Sequence, residues 1–465
     1  MSIGETEAAA LTAVQAVDAL RAGELQLAEY TEALLRRTER LSHLNAYVTL
    51  DADRVLDAAR RADTSRGPLH GLPVGIKDSI GTADMPTGAG TPGLDGWTPP
   101  VDADVVAALR AAGATITGKL GLHELSSGVT NNNPHTGAVG NPYRPDHITG
   151  GSSGGTASAV AAGMIPGGLG GDTGGSCRIP AALCGCVGFR PTLGRYSQRG
   201  CVPISSTRDT AGPLARTVAD ARLLDWACTG DEPRARRSLE GLRIGVPRDA
   251  FWQGLHPHVA ASSEAILDLL ATNGAVLVEI AMPTLREVHE RSNLVIPPYE
   301  TVRELAVYLL DHDAPFGPRQ VIDNIAGGFE REIWTMRIEP ATYREALVVH
   351  RPALQALYAD AFAEHAVEAL LLPTTPLPAI PNRPPGQDLM LELNGETLSV
   401  FLTYTRNTDP ASGAGLPALS VPAGLTPDGL PVGVELVGPE GSDDVVMAIG
   451  EALEEARGPL PGPPV

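Results

Sequence analysis

Two lysines, Lys77 and Lys119, stand among 35 Lys and Arg residues, so arginine fills almost every other cationic position. A guanidinium cannot give up its proton in a protein, whereas a lysine amine can be driven toward neutrality by burial. A lysine retained against that compositional drift is a candidate for chemistry that needs a deprotonatable nitrogen. Lys77 ends a short apolar run, Gly71-Leu-Pro-Val-Gly-Ile-Lys-Asp-Ser-Ile80. Two further stretches supply hydroxyls amid glycine: Gly150-Gly-Ser-Ser-Gly-Gly-Thr156 and Gly170-Gly-Asp-Thr-Gly-Gly-Ser-Cys-Arg178. Glycine lets backbone N–H groups converge on a reacting atom, and serine can serve as nucleophile or proton shuttle. The run is not a linker, because Ala157 to Ile165 reads as a buried helix and Arg178 to Leu183 continues as an apolar segment.

Together these residues resemble the amidase signature family of serine amidohydrolases. The likeness extends through Arg190-Pro-Thr-Leu-Gly-Arg195, Arg208-Asp-Thr-Ala-Gly-Pro-Leu214 and Arg406-Asn-Thr-Asp-Pro410 to Gly429-Leu-Pro-Val-Gly433. His123-Glu-Leu125, Asn131-Asn132, Arg178 to Cys184 and Leu393-Asn-Gly-Glu396 are most similar to the mandelamide and indoleacetamide hydrolases of that family. The resemblance implies Ser176 as nucleophile, Ser152 as a bridging serine after a cis Gly151–Ser152 peptide, and Lys77 as base. It further implies an oxyanion hole from the N–H groups of Thr173, Gly174, Gly175 and Ser176, with Ser153, Asp172 and Arg178 in support. For Asp172 and Arg178 a plain buried ion pair is the alternative. Gly171 departs from the family, which usually carries Thr there.

The fold implied is α/β: one large domain over residues 1–465, with a central mixed β-sheet flanked by helices on both faces. Helical spacing predicts helices over Glu5 to Ala22 and Glu24 to Arg40, with Gly23 as a stop, then Asp51 to Ala62 and Asp102 to Ala112. Short strands are expected at Leu72 to Ile76, Thr115 to Gly118, Leu242 to Pro247 and Ala369 to Pro373. The mainly helical region 283–363 and the loop Thr82 to Pro100 are the expected substrate walls.

A net charge of −20 argues against nucleic acid and anionic membranes as partners. No apolar run reaches a membrane span, the acidic start lacks a basic signal region, and five cysteines suit a reducing compartment. A cytoplasmic location follows as an expectation, with a homodimer as the candidate assembly. Gly113 to Leu120 nearly matches a phosphate-binding loop, but Leu120 stands where Ser or Thr should meet magnesium, so Lys119 reads as structural. Gly150 to Gly154 fits a G-x-S-x-G elbow, yet no downstream His stands out as its base. His123-Glu124 lacks the second His of a zinc helix, Cys184-Gly-Cys186 reads as core, and Cys177 as an oxidation hazard. The expected chemistry is hydrolysis of a small, aryl-bearing amide without cofactor or metal. Carbamate, ureide or anilide cleavage by the same residues is the near alternative; a glutamine amidotransferase subunit of a tRNA-amidating complex is the distant one.

Overall fold

The computed structural model describes residues 3–62, 64, 67–234 and 236–465; the ends of the expected domain at 1–2 lie outside that set. An 11-stranded mixed sheet runs through it. From one edge its strands are Tyr47–Leu50, Thr115–Leu120, Pro73–Lys77, Gly167–Asp172, Thr210–Ala215, Val187–Arg190, Ala418–Leu425, Pro431–Val437, Ala369–Pro373, Arg243–Val246 and Val276–Glu279. Side chains alternate across a strand, and the alternation divides the core in two. Leu371, Val434 and Leu436 face one cluster, while Leu370, Leu372 and Val437 face another. Helices Val218–Thr229 and Asp443–Arg457 cover the first face; Arg351–His365 covers part of the second.

The expected helix from Glu5 to Ala22 is two, Glu5–Ala10 and Ala13–Ala22. Thr12 breaks it, because its side chain accepts from Gln15 N–H while Gln15 reaches back to the Thr12 N–H. That capping box satisfies free helix-start donors that an unbroken helix would not have exposed. Gly23 does end the second helix, with φ +74°. The next helix begins at Leu27 rather than Glu24.

The parallel neighbours Pro73–Lys77 and Gly167–Asp172 matter most, since both run toward the same edge of the sheet, with Ile76 opposite Leu169 and the second strand ending further along at Asp172. Ligands gather at the carboxyl ends of such strands, and here those ends carry Lys77 and Asp172. Four of the six residues of the second strand are glycine, and two of these, Gly168 and Gly170, lie against the helix Gly154–Ala161 and the residue that caps it. A Cβ on Gly168 would come within 2.9 Å of the Thr156 methyl, and one on Gly170 within 2.7 Å of Ser153 Oγ. No helix among the described residues is long and apolar enough to cross a membrane.

Candidate active site

The glycine–serine run is packed, not loose. A Cβ on Gly154 would strike Thr149 Oγ1 at 2.2 Å, and one on Gly155 would strike the backbone of Gly121 at 2.4 Å. This packing presses Ser152 and Ser153 against the end of the sheet, and the Gly151–Ser152 peptide is cis. Lys77 Nζ lies 2.7 Å from Ser152 Oγ, with both residues buried. Ser153 Oγ donates to the Gly171 carbonyl at 3.1 Å and accepts its N–H at 3.2 Å.

Burial lowers the Lys77 pKa from its ordinary 10.5 to about 8, against the pull of Cys177 and Asp172. Both are outweighed by burial. Burial pushes the Cys177 thiol far up, so it is neutral, and Asp172 is already committed to two guanidiniums. Asp78 turns away toward Lys119, 3.4 Å off, and accepts the Gly88 N–H. Lys119 itself donates to Thr87 Oγ1 at 2.7 Å and has no access to the site, which makes it structural.

The Asp-Thr-Gly-Gly-Ser loop is wound around Asp172. Its carboxylate accepts from Gly175 N–H at 3.0 Å, Cys177 N–H at 3.1 Å, Arg178 Nε at 3.0 Å and Nη2 at 2.9 Å, and Arg190 Nη1 at 3.0 Å. Burial opposes its ionisation, but Arg178 and Arg190 outweigh this and hold the carboxyl below the usual range. Arg178 also reaches Glu435 at 2.6 Å; burial lifts the Glu435 pKa to about 7 despite that cation. Thr408 Oγ1 donates to the Gly174 carbonyl at 2.7 Å. Gly174 and Gly175 are required by this same wall: Cβ atoms there would lie 2.6 Å from Asp409 Oδ1 and 2.2 Å from Thr408 Oγ1. Gly175 also has φ +128°, where a side chain is strained.

Of the four expected oxyanion donors, Gly175 N–H is therefore occupied by Asp172, while those of Thr173, Gly174 and Ser176 have no partner among the described residues. Ser152 Oγ accepts from Lys77, but the Ser152 and Ser176 hydroxyls are not hydrogen-bonded to each other. Ser176 joins this part of the site through its carbonyl, which accepts Ser153 N–H at 3.2 Å.

Ser176 opens on a chamber of about 100 Å3 that is mostly apolar, with Leu294, Pro297, Ile333, Met336 and Phe401 in its walls. The region 283–363 thus lines the site as expected. The loop Thr82 to Pro100 does not: Pro86 and Thr87 hold Lys119, and Trp97 packs edge-on against Tyr308. The segment Ser126 to Val129 takes its place in the wall. Three side chains tie the stretch just before and into that segment to the helix Gly328–Thr335 and its approach. His123 Nε2 meets Glu330 Oε1 at 2.6 Å, Glu124 accepts the N–H groups of Ala326 and Gly327 at 2.8 Å, and Trp334 Nε1 donates to Ser127 Oγ at 2.7 Å. His123 N–H also holds the Ser152 carbonyl at 3.2 Å. His123 is thus a clamp: its backbone N–H holds the serine loop, and its ring holds the helix Gly328–Thr335, which through Ile333 forms the roof of the chamber.

A family model described as Amidase matches residues 29–447. An indoleacetamide hydrolase of Allorhizobium ampelinum is 42% identical over 95% of this chain and 96% of its own length. A mandelamide hydrolase of Pseudomonas putida is 36% identical over 97% of this chain and 92% of its own. The solved peptide amidase of Stenotrophomonas maltophilia superposes with a TM-score of 0.82 at 30% identity, covering 98% of each chain.

Proposed function

The chain belongs to the amidase signature family, and on that premise we propose that it hydrolyses small aryl-bearing carboxamides through an acyl-enzyme on Ser176. Supporting this is the bond between a buried, easily neutralised Lys77 and Ser152, beside the chamber that holds Ser176. Neutral Lys77 accepts the Ser152 proton as Ser152 takes that of Ser176, and Ser176 Oγ adds to the amide carbon. The tetrahedral oxygen lies against the free N–H groups of Thr173, Gly174 and Ser176. One such donor contributes about 3–4 kcal/mol. Gly175 keeps the loop in shape rather than donating, since Asp172 holds its N–H. On collapse the C–N bond breaks, Ser152 returns its proton to the leaving nitrogen, and Lys77 reprotonates Ser152. Water then cleaves the acyl ester by the same relay. The apolar walls favour an aryl acyl part, in keeping with relatives named for indoleacetamide and mandelamide.

The test uses the purified single chain and an arylacetamide. Ammonia should be released without partner or nucleotide, EDTA should leave the rate unchanged, and hydroxylamine should divert product to the hydroxamate. A chain inert on amides and carbamates, yet hydrolysing glutamine once a partner subunit and tRNA are added, overturns the reading.

A further inference from the structure

A second cavity of about 360 Å3 lies across Ser126, Thr173 and Ile204, which line both it and the Ser176 chamber. Its inner wall is Lys77, Gly171 and Asp172. Its outer wall is the helix Ile296–Asp311, through Glu304, Val307 and Tyr308. A molecule with its carbonyl at Ser176 and one limb in the smaller chamber therefore has this larger space available to its other limb.

Several features suit the cavity to an organic substituent. A Cβ on Gly171 would lie 3.7 Å from Lys77 Nζ and meet nothing else within 4 Å. The absence of a side chain at Gly171 leaves the Lys77 end open. Ile80, Val202 and Ala211 make the lining largely apolar, and the volume falls in the usual range for small ligands, about 300–1,000 Å3. Tyr308 adds an aromatic side chain to that lining. The mouth is acidic. Asp311 is exposed, Glu304 accepts from Ser206, and Arg199 is drawn off to Asp104 at 3.1 Å.

Orientation follows from the proton path. Ser152, which delivers the proton to the leaving nitrogen, is the residue bonded to Lys77. The nitrogen limb therefore lies on the Lys77 side, and the acyl limb in the apolar chamber. We infer that the larger cavity is an amine-side subsite, so that the chain cleaves N-substituted arylacetamides bearing a neutral or cationic group of about benzyl size. This rests on the hydrolase reading above. The reaction balances as before: the acyl C–N bond breaks, the nitrogen gains the relayed proton, and the amine leaves in place of ammonia.

The experiment compares an arylacetamide with its N-benzyl and N-(carboxybenzyl) derivatives on wild type and Val307→Trp. Val307 is 57% exposed on the outer wall, so a Trp there narrows the cavity without disturbing the core. Wild type should cleave the N-benzyl amide with kcat/KM within about a hundredfold of the primary amide, and the carboxylated one about tenfold more slowly than the N-benzyl. Val307→Trp should lower kcat/KM for the N-benzyl amide about tenfold more than for the primary amide. The subsite is refuted if wild type cleaves the primary amide but not the N-benzyl amide within that margin, or if the substitution slows both alike. If no amide is cleaved, the hydrolase reading fails separately. Calorimetric titration of the N-benzyl amide then decides the subsite: about tenfold weaker binding by Val307→Trp supports it, and equal or absent binding overturns it.

Discussion

Replacing Lys77 by Met should abolish hydrolysis and yet stabilise the fold near neutral pH. The drop in the Lys77 pKa from 10.5 to about 8 corresponds to about 3 kcal/mol, at roughly 1.4 kcal/mol per pH unit, lost by folding with a charged amine. Methionine has similar length and no charge, so it escapes that cost. It also forfeits the bond to Ser152, worth about 1 kcal/mol. The variant should therefore be about 2 kcal/mol more stable at pH 7. The sign of the pH dependence is fixed by linkage. Below pH 8 both folded and unfolded wild type hold the proton, and the penalty is complete. Between 8 and 10.5 the unfolded chain binds more protons than the folded one, so wild-type stability rises with pH and the gap closes. Urea midpoints of the two proteins at pH 7 and pH 9.5 measure this. The same neutral amine sets the acid limb of kcat/KM, which should fall about tenfold per pH unit below 8. Lys77→Arg, always charged, should be as inactive as Lys77→Ala. A Met variant no more stable than wild type at pH 7, or a gap unchanged at pH 9.5, would refute the idea of a desolvated, readily neutralised base.

Ser176→Ala should lower ammonia release roughly a thousandfold or more while leaving the urea midpoint unchanged; retained turnover removes Ser176 as nucleophile. Gly175→Ala combines φ +128° with a Cβ 2.2 Å from Thr408 Oγ1, so a loss of about 2 kcal/mol or more is expected in denaturation; a neutral effect would mean the loop can rewind. His123→Phe strands the buried Glu330 carboxylate and frees the roof, costing about 1–3 kcal/mol and raising KM more than it lowers kcat. Glu330→Gln, which can still pair with the ring, should recover most of the KM; if both variants behave alike, the clamp does not position the roof.

The residues of the proposed relay stand out in the sequence because they are compositionally conspicuous: two lysines in an arginine-rich chain, and serines among glycines that only close packing explains. Their partners from distant parts of the chain do not. Glu330 lies 207 residues from His123, and Glu435 lies 257 from Arg178. Local periodicity carries no information about such pairings. A lone acid in the otherwise apolar strand Pro431–Val437 was the one available hint of Glu435. The Thr82 to Pro100 loop misled for a related reason, since an irregular glycine-rich stretch looks alike whether it borders a ligand or braces a buried lysine. The break at Thr12 was readable in principle, because Thr12 and Gln15 spell a capping box, but the apolar spacing runs straight across it.

The seclusion of both lysines changes what the outside of this molecule can react with. Lys77 and Lys119 are 1% and 0% exposed, and every other side-chain cation except histidine is a guanidinium. Apart from a chain terminus, the surface offers no primary amine, so acylating tags, aldehyde crosslinkers and amine-coupled supports find almost nothing to hold. The same poverty makes an electrophile shaped like the substrate unusually selective. Once inside the large cavity it meets one amine, and that amine is part of the proposed relay.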